Sequence, residues 1–193
     1  MKNLQIGKIT SGDTFKIVCA CLVGISVGVG AYYINKFAKR KNFNLRKKSK
    51  NSFFSYDELT YTNQPFANTP SDEELKNLEL LVDKVLDPLR KKYGKPIHIN
   101  SGYRSTLVNA AVGGASNSDH TKGMAVDIEG FDKSEEENKK LYNLIVSMKL
   151  PFKQLINEFD WKWVHVAYDK DNVKREKLYS YTDKSGKTRY GVA

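Results

Sequence analysis

Three hydrophobic patterns divide the chain. The first is an unbroken run: Ile17 to Ile34 holds 18 residues without a charge. A bilayer-spanning helix needs about 20 such residues, so the run predicts one transmembrane helix over 17–34, after a short tail over 1–16. Tyr32 and Tyr33 suit the membrane interface. Gly24 and Gly28 form a GxxxG face that allows helix-mediated self-association. The second pattern is helical. Leu75, Leu78, Leu81, Val82, Val85 and Leu89 share one face, predicting a helix from Asp72 to about Lys92. Ser71 and Glu74 supply its capping box, as Ser55 and Glu58 do for an earlier turn. Pro88 near its end favours a kink, and Gly94 and Pro96 then break the chain. Ser134 caps a further helix to about Met148, and a short one is expected from Ser105 to Val112. The third pattern is short and β-like: Pro96–Asn100, Met124–Ile128, Gln154–Phe159 and Trp163–Tyr168. A turn at Ser185-Gly186 suggests a terminal hairpin. The expected fold class is α+β, a compact domain over 53–193 with a small antiparallel sheet and flanking helices.

Charge changes this picture at one end. The net charge is +10. Residues 1–50 hold eleven Lys/Arg against one Asp, and the remainder holds twenty-one of each sign. The basic excess therefore lies outside the folded part, which argues against nucleic acid as a partner. Lys36 to Lys50 carries eight Lys/Arg and no acid, a polybasic juxtamembrane linker (35–52) suited to anionic lipid headgroups. A cleaved signal peptide with Lys2, Lys8 and Lys16 as its basic region is the competing reading. Cys19 and Cys21 lie inside the apolar run, and their spacing points them to different sides of a helix. The folded part has no cysteine and needs no disulfide.

The candidate chemistry centres on histidine. Of His98, His120 and His165, the second follows Ser116-Asn-Ser-Asp in a loop, and Gly123 turns the backbone into the strand that delivers Asp127. A histidine and a carboxylate so placed can meet at one metal. His165 lies in a strand whose Trp163 and Val164 suggest burial of both faces, and a buried imidazole needs a partner. Two His and one carboxylate without cysteine are ligands of a catalytic rather than a structural zinc, with a fourth position open to water that becomes the nucleophile. The blander alternatives are a turn or salt-bridge carboxylate at Asp127 and a solvated charge at Arg104.

Four passages then act together: Ser101-Gly-Tyr-Arg-Ser105, Val108 to Gly114, Ser118-Asp-His-Thr-Lys-Gly-Met-Ala-Val-Asp127, and Trp163-Val-His-Val-Ala-Tyr168. They resemble the zinc D-Ala-D-Ala carboxypeptidase family, in its single-domain branch of bacterial enzymes and phage lysis proteins. The pattern S-x-H-x-x-G-x-A-x-D is met at every fixed position. The resemblance spans roughly Phe54 to Tyr168 and implies a Hedgehog/DD-peptidase-like fold. It implies that His120, Asp127 and His165 bind one zinc ion, and that Arg104 holds a carboxylate or carbonyl oxygen of a peptide, with Ser118 and Tyr103 supporting the substrate site. His98 has no counterpart and reads as structural. One departure bears on catalysis. The family usually has an acidic general base three positions before the last histidine, where this chain has Lys162. The passage looks one residue longer, so a bulge could bring Asp160 into the role, with Glu158 as the second candidate.

The expectation is therefore a membrane-anchored, single-pass zinc metallopeptidase. It would hydrolyse peptidoglycan stem peptides or cross-links, as a DD-carboxypeptidase or endopeptidase. The alternative is a weakly active or non-catalytic zinc module that binds cell wall or belongs to a virion. The positive flank favours a cytoplasmic domain, whereas a wall hydrolase belongs at the periplasm or cell surface, or in a phage particle.

Overall fold

A computed structural model describes residues 52–193. The expected transmembrane helix over 17–34, the GxxxG pair and nearly all of the basic linker lie outside them. Among the described residues, no helix is long and apolar enough to cross a membrane.

Helix α1 (Tyr56–Leu59) and helix α2 (Asp72–Leu81) both begin with a complete capping box, Ser55 with Glu58 and Ser71 with Glu74. The α-helix opened by Ser71 does not run unbroken to Lys92. Val82–Leu86 widens into a π turn, and α3 (Asp87–Tyr93) follows it. The reason is Pro88, which has no N–H to give to Lys84 and whose ring crowds that carbonyl; a wider turn relieves the crowding. Gly94, at φ 78°, closes α3 with a left-handed cap.

Six strands form one sheet: β1 (His98–Ser101), β2 (Ala125–Glu129), β3 (Gln154–Glu158), β4 (Trp163–Ala167), β5 (Glu176–Thr182) and β6 (Thr188–Val192). Their spatial order is β1-β2-β4-β3-β5-β6. The sheet is not wholly antiparallel as expected, because β3 and β5 run parallel. The short connection 168–175 reverses the chain while stepping across β3, so β5 runs against β4 and with β3. The expected terminal hairpin is present as β5 and β6. Helix α4 (Thr106–Ala111) and helix α5 (Glu135–Ser147) start one residue after their capping serines, Ser105 and Ser134.

Alternation along the strands divides the sheet into two chemistries. Val126, Ile128, Leu155, Val164 and Val166 face the helices and join one core with Leu81, Val85, Leu86, Leu89, Leu141 and Ile145. Each such side chain contributes about 1.5–3 kcal/mol by leaving water. The other face carries Asp127 and His165, which are direct cross-strand partners. The apolar face thus fixes the register that sets the polar face. Trp163 departs from the expectation of full burial; it is half-buried at the rim of the polar face.

Candidate active site

His120 sits on a single 3-10 turn, Asp119–Lys122, held from several sides. The Ser118 hydroxyl accepts from the His120 N–H at 3.4 Å. Lys153 grips Asp119 at 2.8 Å. Gly123 ends the turn at φ 68°, and a Cβ there would stand 2.2 Å from the Glu74 carbonyl oxygen, so glycine is required twice over. The His120 ring is buried, with Nδ1 2.7 Å from the Gly102 carbonyl oxygen. A carbonyl can only accept, so Nδ1 carries the proton and the Nε2 lone pair turns inward.

There it meets the other two donors. His120 Nε2 lies 3.2 Å from His165 Nδ1 and 3.3 Å from Asp127 Oδ1, and His165 Nδ1 lies 2.8 Å from the same oxygen. In a tetrahedral zinc site with bonds of about 2.0–2.2 Å, donor atoms are about 3.3 Å apart. The triangle thus has the dimensions and donor chemistry of three protein ligands to one zinc ion. Protonation agrees. Burial pushes His120 below the ordinary histidine value, favouring the neutral, ligating form. Burial works to raise Asp127, but its interactions with His120 and then His165 hold it well below the usual carboxylate range.

The second Asp127 oxygen is also engaged. Arg104 Nη2 donates to Asp127 Oδ2 at 2.9 Å, and Arg104 Nε donates to Ser101 Oγ at 2.9 Å. Both groups border a cleft of about 320 Å³ with Asn100, Ser101, Val108 and Trp163, and with Tyr61 to Asn63. Arg104 is therefore fixed in a partly buried position beside the metal triad, not left as a solvated surface charge.

Tyr103 and Ser118 do not line that cleft. The Tyr103 phenol turns to Glu74 at the start of α2, where burial raises its pKa. Ser118 acts on the backbone of the 3-10 turn. His98 is apart from the triad, 3.0 Å from the Phe131 carbonyl oxygen.

The two candidate bases differ in placement. Asp160 lies on the exposed β3–β4 turn, where Phe159, Asp160 and Trp161 all have positive φ, 47°, 58° and 69°. No bulge returns it to the strand. Glu158 ends β3, is 6% exposed, and feels the charges of His165, Asp127 and Arg104. Its cross-strand partner is Trp163, two residues before His165, so it shares the face of the triad. Burial raises its pKa, and a hydrogen bond with Ser180 works the other way.

Ser101, Ser180 and Tyr190 were not singled out by sequence. Ser180 and Tyr190 are cross-strand partners on the terminal hairpin. The Tyr190 phenol is raised by burial and by the nearby Glu158 and Asp127 charges. The alternation of Lys-Leu-Tyr-Ser-Tyr-Thr gives the faces of β5, but only the parallel β3–β5 pairing brings one of them to the site.

A family model described as Peptidase M15 matches residues 52–167. Over 77 residues the chain is 38% identical to a zinc D-Ala-D-Ala carboxypeptidase of Streptomyces albus G, which covers 39% of this chain and 30% of that protein. The chain thus spans less than a third of that relative's length.

Proposed function

The chain belongs to the peptidase M15 family, and on that footing we propose that it is a membrane-anchored zinc hydrolase of peptidoglycan stem peptides or cross-links. The observation that carries this reading is the His120–Asp127–His165 triangle beside an arginine-lined cleft. These three residues hold the metal. Bound zinc supplies Lewis acidity, which polarises a peptide carbonyl and acidifies water. Glu158 accepts the proton released by the attacking water and returns it to the leaving amine. A carboxyl raised by burial suits that exchange near neutral pH. Arg104, held by Ser101 and Asp127, presents its remaining donors to a substrate carboxylate or to the developing oxyanion. The charge-free run over 17–34 and the basic linker support an anchor that keeps the domain near the wall.

The test is full-length protein in mild detergent, incubated with purified peptidoglycan. D-Alanine or cleaved cross-links should appear, stop with chelator and return with added zinc. One equivalent of bound zinc with no product would instead make this a wall-binding module. The two products separate carboxypeptidase from endopeptidase activity.

A further inference from the structure

The matched family segment ends at residue 167, before the β5–β6 hairpin begins. The hairpin nevertheless reaches the candidate site. β5 pairs with β3 in parallel register from Gln154↔Glu176 to Asn157↔Tyr179. The next step along both strands sets Ser180 beside Glu158. Ser180 is 3% exposed, so its hydroxyl must find partners within the protein. Its oxygen accepts from the Phe159 N–H at 2.8 Å. Its proton is then free for an acceptor, and strand register places the Glu158 side chain on the same face of the sheet.

We infer that Ser180 is a positioning residue that holds the Glu158 carboxylate in its working orientation, so that the terminal hairpin is part of the active site. The inference rests on the reading of Glu158 as the general base. One hydroxyl fixes two things: the carboxylate, and the backbone where β3 gives way to the left-handed turn. The rest of that turn is fixed separately. Asn157 Oδ1 accepts from the Trp161 N–H at 2.6 Å, and Asn138 Nδ2 donates to the carbonyls of Trp161 and Lys162. Ser180 stands where the turn and the carboxylate meet. The charged and titratable groups around Glu158 are His165 from β4, Asp127 from β2, Arg104 after β1 and Tyr190 from β6. Of these, His165 and Arg104 attract the carboxylate but are already engaged by Asp127, and Asp127 itself repels it. A buried carboxylate without the serine donor is free to turn away from the triad.

The test uses full-length Ser180→Ala, Ser180→Cys and Ser180→Thr, with Glu158→Gln alongside. Zinc content and peptidoglycan-peptide kinetics are measured for each. Ser180→Ala should keep one zinc and a wild-type KM, while kcat falls about 10-fold or more, part of the 10²–10⁴ that a general base supplies. Ser180→Thr, which keeps the hydroxyl, should restore most of kcat. If the alanine variant does not fold, the nearly isosteric cysteine variant decides by the same readout, since a thiol is a weak donor. Wild-type kcat in a folded alanine or cysteine variant, with Glu158→Gln inactive, overturns the role of Ser180 alone. Full activity in Glu158→Gln removes the base itself, and the inference goes with it.

Discussion

At the residue scale, Glu158 and Asp160 show how close a sequence reading can come and still leave the choice open. Both are acidic, both precede His165, and Lys162 occupies the position where a base was expected. By sequence Asp160 comes first, through a bulge, and Glu158 second, but the ranking depends on where β3 ends and which way the chain turns afterwards. Glu158→Gln should keep its zinc and lose about 10²–10⁴ in kcat, whereas Asp160→Asn should keep both, as read by metal analysis and steady-state kinetics. The same carboxyl carries a stability cost. Its folded pKa is raised, by burial first, above the ordinary 4.5. The folded state therefore holds this proton more tightly than the unfolded chain does. Its contribution is fully present below about pH 4.5 and is lost as pH rises through the folded value. Glutamine removes that loss. In chelator, Glu158→Gln should match wild type near about pH 4 and be the more stable protein near about pH 8, in urea midpoints. Equal midpoints at both pH values would sink the argument.

At the element scale, the β3–β4 turn is both the most strained and the best-clamped stretch near the site. Three consecutive side-chain-bearing residues take left-handed backbone there, at a cost of about 1–2 kcal/mol each. Asp160 is exposed and makes no bond that glycine would lose, so Asp160→Gly should raise unfolding free energy by roughly 0.5–1 kcal/mol without loss of activity. Calorimetry reads the first effect and kinetics the second. The opposite change is Asn138→Ala. This fully buried side chain accepts from Gly130 N–H at 2.7 Å and donates to two turn carbonyls, tying α5 to both β2 and the turn. Its loss leaves buried polar groups unpaired and should cost about 2–4 kcal/mol in urea denaturation. Helices and capping serines were legible because their signals are local. The clamp was not, since an asparagine in a helix gives no sign of the carbonyls it will meet.

At the scale of the whole molecule, the sheet gathers metal donors that lie far apart in the chain. Register was readable only in outline: Ala125 and Asp127 plainly share one strand face, but the pairing of Asp127 with His165 is a tertiary fact. The β5–β3 crossover was the least accessible feature, because the alternation of a polar hairpin gives no hint that it returns to the far side of β3. With donors recruited from β2, β4 and a 3-10 turn, metal binding and folding are coupled. Saturating zinc at 100 times its Kd should stabilise the protein by about 2.7 kcal/mol. That appears as a higher Tm, and His120→Ala or Asp127→Ala should remove both the shift and the bound metal.

The place of the hairpin at the far end of the sheet has a consequence in time. Synthesis delivers the core helices and all three metal donors before it delivers Ser180. A nascent chain therefore holds all three metal donors while the carboxylate beside them is still without Ser180. On the inference drawn for Ser180, that order separates gathering the metal donors from setting the working orientation of Glu158.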